Sequence, residues 1–375
     1  MDRDLMVPVT TESNLKALFE PETIAVIGAS RRQESVGHAI LSNLVSAGFK
    51  GKIYPINPKV ETIYDLQCYS SISQVVDKIS LAIIVVPSHF VPETLEACGE
   101  KGVQAVIVIS AGFREVGTEG LKLEQQISDL AKRFHIPVLG PNCLGLINTD
   151  SAVSMNASFS RTMPRPGNIA FLSQSGALCA AILDYAKGEN IGFSKFISLG
   201  NKADINELRV LEYLKDDPNT NVILMYLEDL VDGASFIQVA REITGELSRT
   251  KPILAIKSGR TPQGAKAASS HTGSLMGSDE VYDAIFAQAG VLRVDSVKEI
   301  FDLAAAFAYQ VMPKGNRVAI VTNAGGPGIM ATDACIRYGL EMAEFSPITQ
   351  ESLKAVLPPT ANLSNPIDVI GDAQH

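Results

Sequence analysis

Short unbroken apolar runs alternate with stretches of helical spacing along most of the chain. TIAVIG, ending at Gly28, is apolar and rich in β-branched residues. GHAILSNLVSAG (37–48) then sets Ile40, Leu41, Leu44 and Val45 on one helical face. KIYPIN, SLAIIVVP (80–87), QAVIVIS (104–110) and IPVLG predict further strands, with helices at VPETLEACGEKG and near 118–134. Strands that are apolar throughout and alternate with helices imply a parallel sheet covered on both faces. The expected class is α/β, with a Rossmann-like doubly wound domain over residues 1–148.

SRTMPRPGN (160–168) carries the Pro and Gly of a domain boundary. A second strand–helix series follows and predicts another doubly wound domain over 160–310. Its strands are NIAFLSQSG, FSKFISLG, NVILMYLED and PILAIKSG, and its last helix lies near 295–310. A third start, VAIVTNAGGPGIMATDACIRYG, opens a segment 315–375 of about 60 residues. That is too short to bury a good core alone, so the chain is expected to be cut short or completed by other material.

Composition narrows the function classes. The 375 residues carry a net charge of −9 with both signs dispersed, and no basic run of five or more occurs. Nucleic-acid binding is therefore not expected. Five Cys without a CxxC pair and five scattered His suit a reducing cytoplasm and give no zinc spacing, so no metal site is expected. The N-terminal segment lacks a signal-peptide core, and no apolar run approaches the ~18 residues of a membrane span.

Three strand–glycine–helix junctions are candidate anion sites, because backbone N–H groups and the positive end of a helix dipole converge there. VIGASRRQESVGH (26–38) offers Gly28, Ala29, Ser30, Arg31 and Ser35, residues suited to a diphosphate or a 3′-phosphate. It lacks GxGxxG, and a structural turn accounts for it equally. LSQSGAL (172–178) offers Ser173, Gln174, Ser175 and Gly176; simple capping by Ser is the alternative. TNAGGPGIMA (322–331) offers Asn323, Ala324, Gly325, Gly326 and Gly328, with Pro327 fitted to a first helical turn. Three such junctions in one chain favour a protein that handles several phosphate groups.

KSGRTPQGAKAASSHTGSLMG (257–277) is rich in small residues and carries His271 at its middle, with Lys257, Arg260 and Lys266 upstream. Small neighbours leave the imidazole accessible, and a neutral imidazole is a competent nucleophile near pH 7. An acid at a strand end could orient it by accepting from one ring nitrogen. Glu228 stands at such an end, and Asp229 and Asp232 fit the role equally well.

Together these segments resemble the succinyl-CoA synthetase-like, nucleoside-diphosphate-forming acyl-CoA synthetases, above all the ADP-forming acetate–CoA ligases. VIGAS, ISAGF (109–113), GPNCLGLIN (140–148), LSQSGAL, SLGNKADIN (198–206), SSHTGSLMG, TNAGGPG and NPIDV (365–369) carry the resemblance across nearly the whole chain. It implies a CoA-binding Rossmann-like domain followed by flavodoxin-like domains, the last incomplete. It also implies a CoA site from Gly28, Ala29, Ser30, Arg31, Ser35, Lys59, Val86, Pro87, Ser88, Ser110, Ala111 and Gly112. Pro141 and Asn142 would border the thioester. Ser173–Gly176 and Asn323–Gly328 would start two phosphate-gripping helices, His271 would be phosphorylated and Glu228 would steady it. The implied substrates are CoA, acyl-CoA and inorganic phosphate. ADP or ATP with Mg²⁺ is expected on an ATP-grasp module, absent from these residues and supplied by a downstream domain or a partner subunit. An oligomer is expected. Three rivals stand beside this reading. They are the CoA-binding regulatory part of a lysine acetyltransferase, a non-catalytic CoA-binding module and a nicotinamide-dependent oxidoreductase. The missing GxGxxG counts against the last.

Overall fold

The computed structural model describes residues 12–245, 250–261, 263–264, 266, 278–311 and 313–370. The chain divides into two compact units, residues 1–310 and 311–375.

In the first unit, helix α1 (Glu12–Phe19) leads into β1 (Thr23–Ile27), α2 (Val36–Ala47) and β2 (Lys52–Ile56). A small hairpin, β3 (Thr62–Ile63) and β4 (Leu66–Gln67), precedes β5 (Leu81–Ile84), α3 (Val91–Lys101), β6 (Ala105–Val108), α4 (Thr118–Phe134) and β7 (Val138–Leu139). The sheet order is β2-β1-β5-β6-β7, parallel throughout. The apolar runs are buried along their whole length, as at Leu81–Ile84 and Ala105–Val108, because helices cover both faces.

The chain then crosses to a second sheet. Strands β8 (Gly145–Asn148) and β9 (Met155–Ser158) form an antiparallel hairpin at its edge. The rest comprises β10 (Pro166–Ser173), α5 (Gly176–Gly188), β11 (Phe193–Ser198), α6 (Glu207–Asp216), β12 (Val222–Leu227), α7 (Gly233–Thr244) and β13 (Ile253–Lys257). It ends with α8 (Asp279–Ala289), β14 (Leu292–Arg293) and α9 (Val297–Tyr309). The order is β14-β13-β12-β10-β11-β8-β9. Residues 145–148, read from sequence as the end of the first domain, thus pair with β11 of the second sheet. The same hairpin also touches the first domain: Asn43 donates to Ser158 O and Ser160 O (2.8 and 2.7 Å), and Asn148 to Phe19 O (2.9 Å).

One continuous apolar core spans both sheets, running from Leu18, Ile24 and Ile83 to Leu146, Ile197 and Met225. Phe19 of α1 stacks on Tyr213 of α6 with ring centroids 3.9 Å apart. Two sheets that share a core form one unit, which brings the carboxyl edge of one sheet next to that of the other.

The second unit holds β15 (Arg317–Val318), β16 (Val321–Thr322), α10 (Gly325–Arg337), β17 (Glu341–Met342), α11 (Pro347–Val356) and β18 (Ile367–Asp368). β15 pairs with β17 and β16 with β18, both parallel. Asn365 fastens these pairs: its amide donates to Val318 O and Ala343 O (2.8 and 3.0 Å), and its Oδ1 accepts from Ile320 N (3.0 Å).

Candidate functional site

In each large sheet the chain runs outward from a first strand, then returns to lay strands on its other side. The switch point lies between β1 and β5 in the first sheet and between β10 and β12 in the second. Ligands of open α/β sheets bind at the carboxyl ends of strands at such points.

At the first switch point β1 ends in Gly28, whose φ is +95°. A Cβ there would sit 2.5 Å from Val85 O, so only glycine fits the approach of the two strand ends. Ser35 caps α2 by accepting from His38 N (3.3 Å). Ser30 Oγ accepts from Arg32 N (3.1 Å). Arg31 points its guanidinium at the β3–β4 hairpin, donating from Nε to Thr62 O (2.8 Å) and from Nη2 to Thr62 Oγ1 (3.0 Å). Lys59 is exposed beside this loop, and its turn is tied in by Asn57, which accepts from Lys59 N (2.8 Å) and donates to Ala29 O (2.7 Å). Val86, Pro87 and Ser88 follow β5, and Ser110, Ala111 and Gly112 follow β6; Ser110 Oγ donates to Val86 O. Asn142, next to Pro141 after β7, donates its N–H to Ser110 O (2.9 Å). The first-domain candidates therefore lie along one sheet edge.

At the second switch point, Ser173 Oγ accepts from Ser175 N and donates to Ser175 O, both at 3.0 Å. Ser175 caps α5 through Leu178 N (3.3 Å). The N–H groups of Gly176 and Ala177 open the helix and have no intrahelical acceptor, so they suit an anion. Gln174 has another task. Its Oε1 accepts from Glu228 N and from Asp229 N (3.0 Å), and its Nε2 donates to Asp229 O (2.9 Å) and Oδ1 (3.1 Å). One carboxamide thus clamps the strand-end acids to the start of α5. Glu228 is 7% exposed.

The three acids near this strand end separate in the structure. Asp232 caps α7, accepting from Ser235 N (2.7 Å). Asp229 accepts from Lys202 Nζ at 2.5 Å, and Lys202 also reaches buried Glu207 (3.0 Å). Glu228 lines a small cleft with Arg114, Asn142, Gln174, Gly200, Asn201, Lys202 and Asp229. This cleft draws residues from both sheets. A larger open groove of about 490 Å³ follows the outer edge of β2 past Phe49, Tyr54 and Tyr64, and no candidate residue lines it.

His271 lies outside the described residues. The described residues on either side of its segment are joined: Arg260 pairs with Asp279 (3.4 Å) and with Asp295, and Arg293 pairs with Asp279 (2.5 Å). Asp279 is held below the usual aspartate value. Burial raises it, but its bonds to Arg293 and Arg260 outweigh that. Lys257, read from sequence as part of a basic approach to His271, is buried, with its ammonium 4.4 Å from the centre of the Tyr282 ring. Burial lowers its pKa. The thiols of Cys143, after β7, and Cys179, in α5, are poor nucleophiles, since burial pushes both up to about 12.

In the second unit, Thr322 Oγ1 accepts from Ala324 N (3.1 Å) and donates to Ala324 O (3.0 Å), the same local cage as Ser173 and Ser175. Ala324 then precedes α10 without a side-chain cap, and Asn323, Gly325 and Gly326 are exposed. Gly328 is buried against Thr322 and Pro366.

Arg114, Asn201, Lys202 and Glu207 escaped the sequence reading of the site. SLGNKADIN carried part of the resemblance without a role, and only the crossing of the two sheets gives it one. Among the described residues, no three His, Cys, Asp or Glu side chains converge as a metal site, and no helix is long and apolar enough to cross a membrane.

Comparison with known proteins agrees with this architecture. Residues 22–149 match the CoA binding domain family, 166–307 the succinyl-CoA ligase like flavodoxin domain and 318–374 the ligase-CoA domain. The chain is 46% identical over 367 residues to the alpha subunit of acetate–CoA ligase [ADP-forming] I of Pyrococcus furiosus, covering 96% of this chain and 77% of that subunit. It is 49% identical over 359 residues to acetate–CoA ligase [ADP-forming] of Methanocaldococcus jannaschii, covering 96% of this chain and 49% of that protein. The chain spans about half the length of several curated relatives it matches. A solved structure of Ca. Korarchaeum cryptofilum dinucleotide forming acetyl-coenzyme A synthetase 1, in complex with phosphate and ADP, superposes with a TM-score of 0.88. It has 42% identity and covers 96% of this chain and 76% of that one. The chain belongs to the ADP-forming acetate–CoA ligase alpha-subunit family, within the succinyl-CoA synthetase-like acyl-CoA synthetases.

Proposed function

We propose that this chain is the CoA-binding and phosphohistidine part of an ADP-forming acyl-CoA synthetase. The observation that carries the reading is the second switch point, where the opening N–H groups of α5 and the buried Glu228 are fastened together by Gln174. An anion site and an orienting acid side by side suit a phosphorylated histidine, and His271 is the residue assigned that part.

CoA is assigned to the carboxyl edge of the first sheet, from Gly28–Ser35 and Lys59 across Val86–Ser88 and Ser110–Gly112 to Pro141 and Asn142. The close backbone approach at Gly28 and the capped start of α2 fit a diphosphate. A phosphate oxygen attacks the thioester carbon; the C–S bond breaks and CoA leaves with its electron pair, forming an acyl phosphate. An imidazole nitrogen of His271 attacks phosphorus, and the carboxylate leaves. The phosphoryl group then passes to the terminal oxygen of ADP as the P–N bond breaks. Residues Asn323–Gly328, with the same turn as Ser173–Gly176, are assigned the second grip on phosphate. Among the described residues, no three His, Cys, Asp or Glu side chains meet to hold a metal on their own. From the family resemblance, the metal and nucleotide are assigned to an ATP-grasp part, in a downstream domain or a partner subunit, and a cytoplasmic location goes with this chemistry. The acetyltransferase-regulator alternative gains no support, since the relatives described above are named as ligases and a synthetase.

Incubating the chain with acetyl phosphate carrying labelled phosphorus tests the proposal. Acid-labile label is expected on the wild type and absent from His271→Ala; label that persists in the variant overturns the assignment.

A further inference from the structure

Residues 200–205 leave the second sheet and run alongside the end of the first. Asn201 N donates to Pro141 O (2.8 Å), Ala203 N to Gly140 O (3.0 Å) and Ile205 N to Val138 O (3.1 Å). Gly200, at φ +60°, makes the entry possible, since a Cβ there would lie 2.2 Å from Pro141 O.

Asn201 and Lys202 extend from this seam in two directions. Asn201 Nδ2 donates to Glu115 Oε2 (2.7 Å) and Glu124 Oε2 (2.8 Å), and its Oδ1 accepts from Asn142 Nδ2 (3.2 Å). Glu115 in turn accepts from the N–H groups of Gly112 (2.6 Å) and Phe113 (3.1 Å), which fixes the loop after β6. Lys202 reaches the other way, to Asp229, the acid that Gln174 clamps beside Glu228. The amide of Asn201 must face the carboxylates with its nitrogen, because its oxygen there would oppose two acceptors. It is 8% exposed, so water is a poor substitute.

We infer that Asn201 is a positioning residue: it holds the loop Ser110–Phe113 and Asn142 in place for CoA from the second sheet, in register with the phosphate-handling edge that Lys202 supports. This deepens the proposed function and rests on it. Glu115 is the intermediary. Burial works against its charge, and the bonds from Asn201, Gly112 and Phe113 overcome that and leave its pKa below the usual carboxylate range. Glu124, chiefly through burial, is raised. One carboxylate is therefore charged and fully bonded, and the other takes up a proton more readily.

The test measures two readouts on the full chain: CoA affinity by calorimetry, and the rate of labelling by acetyl phosphate. Loss of a buried bond to a charged group predicts that Asn201→Ala weakens CoA binding about 10- to 100-fold. Labelling, which reads the edge held by the intact Lys202 arm, should fall by a smaller factor than CoA affinity. Glu115→Gln should also weaken CoA, because its new amide opposes that of Asn201. Unchanged CoA affinity in Asn201→Ala, equal loss of both readouts, or unchanged CoA affinity in Glu115→Gln overturns the inference. A wild-type chain that does not bind CoA overturns the proposed function itself.

Discussion

Gln174→Glu changes no volume and reverses half of one contact. The carboxamide oxygen that accepts from Glu228 N and Asp229 N is retained, but the nitrogen that donates to Asp229 O (2.9 Å) and Oδ1 (3.1 Å) becomes an acceptor facing acceptors. Two hydrogen bonds at about 0.5–1.5 kcal/mol each are lost. A second negative charge is also set beside Asp229. That penalty has a ceiling, because the new carboxyl can take a proton: from an ordinary pKa of about 4.3, this costs about 3.7 kcal/mol at pH 7. Net destabilisation of about 2–4 kcal/mol follows, and at about 2 °C per kcal/mol for a unit of this size Tm falls by about 4–8 °C. The introduced carboxyl would have a raised folded pKa, so its contribution is intact below about pH 4.3 and is lost as pH rises through the folded value. The deficit against wild type should therefore shrink by about 2 kcal/mol between pH 7 and pH 5.5. Labelling of His271 by acetyl phosphate should fall at least about tenfold, because Glu228 loses its fixed backbone. Scanning calorimetry at the two pH values and the labelling rate check this. A Tm within about 1 °C of wild type at pH 7, with labelling unchanged, would refute the claim that Gln174 holds the acids.

Gly37→Ala should destabilise the chain although alanine favours helix by about 1 kcal/mol, since the added Cβ would sit 2.1 Å from Gly28 O. CoA affinity should fall at least about tenfold as the loop after β1 is pushed away; a raised Tm with unchanged CoA binding counts against the tight loop–helix packing. Asp279→Asn should lower Tm most above the ordinary aspartate range. The depressed pKa of Asp279 means that its pairing with Arg293 and Arg260 is fully present above the unfolded value and is lost as pH falls through the folded one. The Tm difference should narrow on acidification below about pH 4, and a difference constant from pH 7 to pH 3 would show that Asp279 does not titrate through these partners.

The main strands of the two large sheets were legible because burial on both faces leaves an uninterrupted apolar run, as in Ile24–Ile27 and Leu81–Ile84. The first glycine turn was legible for a related reason: Gly28 must admit the Val85 backbone at a distance that no side chain tolerates, whereas a Cβ at Gly176 or Gly326 would meet no backbone closer than 3.8 Å. What escaped depends on which strand ends become neighbours. Gln174 looks like a phosphate-loop polar residue until β10 lies beside β12, when its partners turn out to be Glu228 and Asp229. The hairpin from Gly145 to Ser158 follows a first-domain strand in sequence, yet antiparallel pairing with β11 carries it to the second sheet. Lys257 and Arg260 look like a basic approach to His271, but an aromatic ring and two acids occupy them.

Asn201 shows why such residues resist detection from periodicity. Its four side-chain and backbone partners, Glu115, Glu124, Asn142 and Pro141, all come from the loops and helix α4 around the other sheet. No local pattern can encode that set, because each contact depends on a shared core that first brings the two sheet edges together. The same dependence makes the residue informative about function. A bond network that only stabilised the fold could sit anywhere in the shared core; this one sits where the edge assigned to CoA and the acid-bearing edge meet. If thioester cleavage and phosphoryl transfer occur on separate sheets, something must fix the distance between them. The seam through residues 200–205, with Asn201 and Lys202 reaching in opposite directions, ties the two edges together at that point, while the shared core and the bonds of Asn43 and Asn148 join the sheets elsewhere.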